Sequence, residues 1–290
     1  MSGAILAAER ASPAPFLELT KPRLSSFVLV VVALGGWLAG GGATVLLAVL
    51  GTGLVAGGAS ALNMLLERAH DARMARTWSR PLPSGRLAPR DVLLFGVGAT
   101  AAGLLVLALA TTPLAAFLAA LTSATYLGVY TPLKRVTTLN THIGAVPGAL
   151  PALIGWAAVR GTVDATAWAL FLIVYLWQVP HFLSIAWMYR DDYARGGFRM
   201  LPSADPDGTA TGRQALLGAL ALVPASLLPA LLGAGGLFYA VAAVALGAFF
   251  AGRAAAFLWD RSAARARALM RGSLVYLPLL LLALFLDAAG

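Results

Sequence analysis

Nine apolar stretches dominate the chain, at roughly 24–41, 44–66, 91–110, 113–131, 139–159, 165–188, 214–233, 235–258 and 271–287. Each is near the ~20 residues that a helix needs to cross the hydrocarbon core of a bilayer. Only 11% of the 290 residues are charged, whereas 60% are hydrophobic. A soluble domain carries about a quarter charged residues, so this chain cannot cover its surface with polar groups. The expected fold is an all-α integral membrane protein of nine transmembrane helices, forming one domain over residues 1–290. The lipid bilayer is its main solvent.

The loops between these stretches fix an orientation. One set holds Lys21 and Arg23, six arginines from Arg68 to Arg90, Lys134, Arg135, Arg190, Arg195, Arg199, Arg213, and the arginines from Arg253 to Arg271. With Arg10 that is 20 of the 21 basic residues; the opposite loops hold only Arg160. The positive-inside rule places the rich side in the cytoplasm, so the N-terminus is expected inside and the C-terminus outside. The net charge of +9 is therefore topological and does not call for nucleic acid. Residues 1–20, with Glu9 and Glu18 among them, match neither a cleavable signal nor a transit peptide. Nineteen arginines against two lysines, with abundant Ala, Gly and Leu, suit a GC-rich bacterial genome and hence the bacterial inner membrane. The absence of cysteine rules out disulfides, thiolate metal sites and cysteine nucleophiles.

Two loops on the basic side are long, 67–90 and 189–213, and they carry most of the acidic residues. Each contains a Leu-Pro-Ser phrase, at Leu82-Pro83-Ser84 and Leu201-Pro202-Ser203. This is a faint sign of a four-helix repeat.

The end of the second stretch reads NMLLERAHDARMARTWSRPLPSG from Asn63. Asn63, Glu67 and Asp71 are four apart, a spacing that lines one helix face. Three oxygen donors would therefore converge at the cytoplasmic membrane edge. Mg²⁺ takes one or two carboxylates and completes its shell with water and phosphate oxygens. Arg68, Arg73, Arg76 and Arg80 surround them, and arginine forks match phosphate oxygens. Carboxylates and arginines at a membrane mouth suit an anion that brings its own metal, such as a diphosphate.

This run resembles the first aspartate-rich motif of the UbiA superfamily of intramembrane prenyltransferases. With Met74, Arg76-Thr77 and Arg80-Pro81-Leu82, it is most similar to the protohaem IX farnesyltransferase (haem O synthase) branch. Leu19-Thr20-Lys21-Pro22-Arg23, Pro180-His181-Phe182, Asp191-Asp192-Tyr193 and YTPLKRVTTLN from Tyr130 extend the likeness along nearly the whole chain. Ala69 stands where many branch members have a third acidic residue, and Glu67 replaces the commoner Asp.

The resemblance implies a second metal-binding motif at the end of the sixth stretch. It assigns Asp192, and with it Asp191, to a second Mg²⁺, although Met188 stands where the usual motif has its other Asp. It also implies that Arg23, Arg76, Arg80, Lys134 and Arg135 hold the diphosphate. Tyr126, Tyr130 and Lys134 share one face by spacing. The tyrosines are either interfacial belt residues or π faces for an allylic cation. His181 lies about two and a half turns inside the sixth stretch, where an ionisable residue points to function. It could contact haem iron as an axial ligand, activate water, or serve as a hydrogen-bonded structural histidine.

The implied reaction is Mg²⁺-dependent transfer of farnesyl from farnesyl diphosphate to a vinyl group of haem B. Water then quenches the porphyrin-stabilised cation to give haem O. The oily substrates suit a central helix-lined cavity open to the cytoplasmic side. Haem is a substrate here, and a haem A synthase or terminal oxidase assembly would receive the product. Two rivals stand beside this reading. One is a UbiA-type enzyme acting on a quinone precursor or a chlorophyll-type ring. The other is a transporter, which would hold its charges near the midplane at broken helices.

Overall fold

The computed structural model describes residues 13–289, so Arg10, one of the twenty basic residues above, lies outside the described residues. Among the described residues the chain is all helix. The main apolar helices are α1 (Pro22–Leu38), α2 (Thr44–Leu66), α3 (Pro89–Ala110), α4 (Pro113–Leu133), α5 (Asn140–Arg160), α6 (Ala165–Met188), α7 (Thr209–Leu231), α8 (Leu237–Trp259) and α9 (Ala263–Ala289).

Eight of these, α2 to α9, are long and apolar enough to cross a membrane. With 17 residues α1 is shorter, about 25 Å at 1.5 Å per residue. It stops at Leu38 rather than at 41 because Gly40, Gly41 and Gly42 all take positive φ, a conformation that ends a helix. At the other extreme, α9 begins eight residues earlier than its apolar run. The stretch AARARAL consists of strong helix formers, so the helix carries Arg265 and Arg267 on its polar first turns.

Close helix approach is built on glycine. A Cβ on Gly58 of α2 would lie 2.6 Å from the Gly96 carbonyl of α3, and one on Gly103 would lie 2.5 Å from the Gly51 carbonyl. Small residues let backbones pack in lipid, where apolar burial alone does not drive helices together. The same device joins α1 to α5, where a Cβ on Gly155 would run into the Val32 carbonyl and lie 2.9 Å from Gly36 N. Helix α6 packs along α5, α7 and α9, and α9 also meets α1.

The helix ends fall into two sets. At one face Lys21, Asn63, Glu67, Lys134 and the 189–200 loop come together. At the other, Arg160 donates to the Ala39 carbonyl and Asp287 accepts from Gly236 N. The basic loops predicted to share one side do share one face. A groove of about 450 Å³ lined by Leu38, Gly233 and Asp287 lies at the opposite end.

Candidate active site

Helix α2 does not continue through the first motif. It ends at Leu66, Glu67 takes φ −96° and ψ 5°, and a four-residue helix Arg68–Asp71 follows. Helix α6 breaks likewise at Tyr189 (φ −115°, ψ 21°) before a six-residue helix Arg190–Arg195. The i to i−4 hydrogen bonds of Glu67 and Asp71 nonetheless persist at 2.9 and 2.8 Å. The four-residue spacing therefore still brings all three side chains to one buried side: Asn63 is 1% exposed, Glu67 6% and Asp71 1%.

Each of the three is met by a basic side chain from a different segment. Lys21 Nζ lies 3.4 Å from Asn63 Oδ1. Lys134 Nζ lies 2.8 Å from Glu67 Oε1, and Arg80 Nη1 lies 2.8 Å from Asp71 Oδ2. Asn63 Nδ2 donates to Thr131 Oγ1 at 3.0 Å, which turns the amide oxygen toward Lys21. Burial holds Lys21 down at about 7, with repulsion from Arg80 and Lys134 adding to the effect. Burial acts the same way on Lys134, but Tyr130, Glu67 and Tyr126 outweigh it, and its ammonium is held above the ordinary lysine value.

The other carboxylate oxygen, Asp71 Oδ1, is buried without a hydrogen-bond partner. A buried orphan acceptor is costly and calls for an explanation. A hard cation beside it would supply one, with Asn63 Oδ1 and Glu67 as further oxygen donors. No group of three or more His, Cys, Asp or Glu gathers at one point among the described residues. A donor set so poor in carboxylates suits Mg²⁺, whose remaining positions go to water and phosphate.

The wall beside these pairs is aromatic. Helix α4 passes through a π turn, Thr125–Tyr130, a distortion frequent at functional sites. It stacks Tyr126 on Tyr130 with centroids 5.7 Å apart, and Lys134 Nζ lies 4.5 Å from the Tyr130 ring. Gly144 of α5 makes room, since a Cβ there would lie 2.5 Å from the Tyr130 ring.

A model of the UbiA prenyltransferase family matches residues 24–283. The chain belongs to that family. It is 44% identical over 288 residues to the Protoheme IX farnesyltransferase of Solibacter usitatus, covering 95% of this chain and 99% of the relative. To the protein of that name from Salinibacter ruber it is 46% identical over 277 residues, covering 94% and 98%. Among solved structures, a digeranylgeranylglyceryl phosphate synthase superposes with a TM-score of 0.78 at 19% identity, covering 95% of this chain and 98% of its own. A UbiA homologue from Archaeoglobus fulgidus bound to GPP and Mg²⁺ gives 0.66 at 14% identity, covering 95% and 100%. At such identities these two likenesses speak for the fold alone.

The rest of this UbiA-family site departs in places from the expected arrangement. Arg23 is exposed on the first turn of α1, and Lys21, not singled out from the sequence, is the residue that reaches the cluster. Lys21 does so with φ 49°, a left-handed conformation uncommon outside glycine and invisible in a sequence. Arg76 is drawn to the second loop, 4.9 Å from the Tyr193 ring and 5.2 Å from that of Tyr189. Arg135 contacts His70 Nε2 at 3.2 Å.

Asp192 is buried, and its carboxylate faces the loop after α2. Oδ1 accepts from Ala75 N and from Arg195, each at 2.8 Å, and Oδ2 lies 3.4 Å from Arg76 N. Those bonds outweigh burial and hold its carboxyl below the ordinary aspartate value. Asp191 is 84% exposed, 3.9 Å from Arg190. His70, also missed, joins the same clasp, with Nδ1 2.7 Å from the Gly196 carbonyl. His181 lies inside α6 as expected, against Ser273 of α9 and the Trp177 ring.

Proposed function

We propose that this chain is a protohaem IX farnesyltransferase that moves the farnesyl group of farnesyl diphosphate to a vinyl group of haem B. The choice of acceptor rests on near-full-length likeness to proteins of that name. The reaction type rests on one observation: three buried oxygen-bearing side chains, each met by a basic side chain, with one aspartate oxygen left unpartnered. That set can divide itself between a divalent cation and a diphosphate.

Asn63, Glu67 and Asp71 would hold Mg²⁺, which when bound neutralises charge on the departing diphosphate. Lys21, Lys134 and Arg80 then take up the negative charge that develops as the allylic C–O bond breaks and its electron pair leaves with diphosphate. Tyr126 and Tyr130 present π faces to the allylic cation. The vinyl group attacks that cation, and the porphyrin-stabilised cation takes hydroxide from water with release of one proton, giving haem O.

Asp192 holds backbone amides 75 and 76 and thereby fixes Arg76 and Arg80 in their loop. A second Mg²⁺ on Asp192, with Asp191, would require one of those bonds to be given up. Arg23 and Arg135 are the outer basic residues past which a diphosphate enters. His181 serves the acceptor rather than the diphosphate.

We further infer that α1 is a ninth span, that the chain is one domain in a bacterial inner membrane, and that the basic face is cytoplasmic. The N-terminus is then inside and the C-terminus outside. The cavity between the helices opens to the cytoplasmic side, and the product passes to a haem A synthase or oxidase assembly. Incubating purified protein with haem B, farnesyl diphosphate and Mg²⁺ should yield haem O by mass spectrometry. Unchanged haem beside a prenylated quinone precursor would overturn the acceptor, and full activity in EDTA-stripped membranes would overturn the metal.

A further inference from the structure

We infer that Ser273 locks His181 in the Nδ1–H tautomer, so that Nε2 is left with a free lone pair for the iron of the haem acceptor. The inference rests on the haem reading above.

The proton count decides the tautomer. A serine hydroxyl has one proton to give. Ser273 Oγ lies 2.6 Å from the Met270 carbonyl, which can only accept, so its proton goes there. The same Oγ lies 2.6 Å from His181 Nδ1. With its proton already committed, Oγ accepts and Nδ1 donates. A neutral imidazole protonated at Nδ1 carries its lone pair on Nε2.

The ring is also held in orientation. Trp177, one turn earlier on α6, stacks on it at 4.9 Å and 15°. Trp177 is itself tied down by Nε1 donating to the Ser273 carbonyl at 2.8 Å. Phe27 of α1 stacks on Trp177 at 5.0 Å. Three helices thus converge on one imidazole plane.

The chain's two other histidines show what a structural histidine looks like here. His70 uses both nitrogens, Nδ1 on the Gly196 carbonyl and Nε2 on Arg135. His142 also uses both, Nε2 toward Gln214 at 3.3 Å and Nδ1 toward Tyr175 at 3.4 Å. Of the three histidines, His181 alone keeps a ring nitrogen without a hydrogen bond among the described residues, and its side chain is only partly buried. One ring N–H bonded to a fixed acceptor and the other nitrogen open is the pattern of a metal-ligating histidine. A histidine axial ligand is a common haem attachment. Ser273 is then a positioning residue that acts through His181.

The test uses purified full-length protein and haem B without farnesyl diphosphate, read by absorption spectra, haem affinity and midpoint potential. The wild type should show a histidine-ligated spectrum that His181→Ala loses. Ser273→Ala should weaken haem affinity by about tenfold, in line with the loss seen at other metal sites when the hydrogen-bond partner of a ligating histidine is removed. It should also raise the midpoint potential, because the ligand loses the bond that makes it more basic. Ser273→Thr, which keeps the hydroxyl, should restore both. Retained binding of Mg²⁺ and farnesyl diphosphate shows that each variant is folded. A wild-type spectrum in His181→Ala, or an unmoved potential in Ser273→Ala, would overturn the inference. A wild type that binds no haem, yet farnesylates another acceptor, would instead overturn the haem reading itself.

Discussion

Replacing Lys134 with methionine keeps an apolar stem of similar length and removes the ammonium 2.8 Å from Glu67. The Glu67 side chain is 8% exposed, so the variant strands a carboxylate that water cannot reach well. Breaking a buried pair from one side costs about 3–5 kcal/mol. The stranded group has an escape, which is to take up a proton. Starting from a reference glutamate near 4.3, protonation at pH 7 costs about 3.7 kcal/mol, at about 1.36 kcal/mol per pH unit. That figure caps the penalty. The cap falls to about 1.6 kcal/mol at pH 5.5. In the variant the folded state holds a proton that the unfolded chain releases, so stability is kept at low pH and lost as pH rises. Adding Glu67→Gln removes the stranded charge and with it both the penalty and its pH response. Tryptophan fluorescence during thermal unfolding in detergent reads all of this. Lys134→Met should unfold well below wild type at pH 7 and approach it at pH 5.5, while the double variant should respond to neither change. Equal stability of Lys134→Met and wild type at pH 7 would refute the buried pair.

Other expectations follow from the same geometry. Asp71→Asn replaces the orphan oxygen's carboxylate with a neutral amide and should lower kcat by roughly 10²-fold or more, with added Mg²⁺ failing to restore it in a farnesyl-transfer assay. Gly155→Ala drives a Cβ into the Val32 carbonyl of α1; overpacking of this kind costs about 1–3 kcal/mol and should appear as a lower unfolding temperature. Lys21, held near 7 by burial, regains its charge beside a diphosphate. Binding should therefore take up a proton above pH 7, and KM for farnesyl diphosphate should rise by up to about tenfold per pH unit there. Lys21→Met should bind more weakly and flatten that slope.

Eight of the nine expected spans were legible because a bilayer demands long uninterrupted runs. Their ends were less so: α1 stops at three positive-φ glycines, and α9 extends into arginines that hydropathy counts against it. The first motif was legible as a spacing, since a helical period survives the break at Glu67. The apolar runs ended where the helices do, at 66 and 188, but the short helix that follows each break left no sign in the residues. Lys21 was passed over for Arg23 because a sequence shows two cations at one helix start, whereas a left-handed φ decides which one turns inward. Asp192 was singled out from the sequence, but not its hold on the amides of residues 75 and 76, because a contact between loops 116 and 117 residues apart has no local signature.

The site is self-neutralising, and this bears on what can enter it. Lys134 and Arg80 already meet the charges of Glu67 and Asp71. A divalent cation arriving alone would have to displace an ammonium or a guanidinium into a poorly solvated space, where an unpaired charge is expensive. A diphosphate arriving alone would gain those cations only by stranding two carboxylates. When both arrive together, every charge keeps a partner: the oxygens pass to the metal and the cations to the phosphates. The favourable exchange is therefore concerted, and Mg²⁺ and the prenyl diphosphate should each tighten the other's binding by the same factor, as linkage requires. Calorimetry on detergent-solubilised protein separates the cases. Weak binding of either alone and tight binding of both supports the exchange. Tight binding of Mg²⁺ alone, unchanged in Lys134→Met, would mean that the pairs are not what the metal has to break.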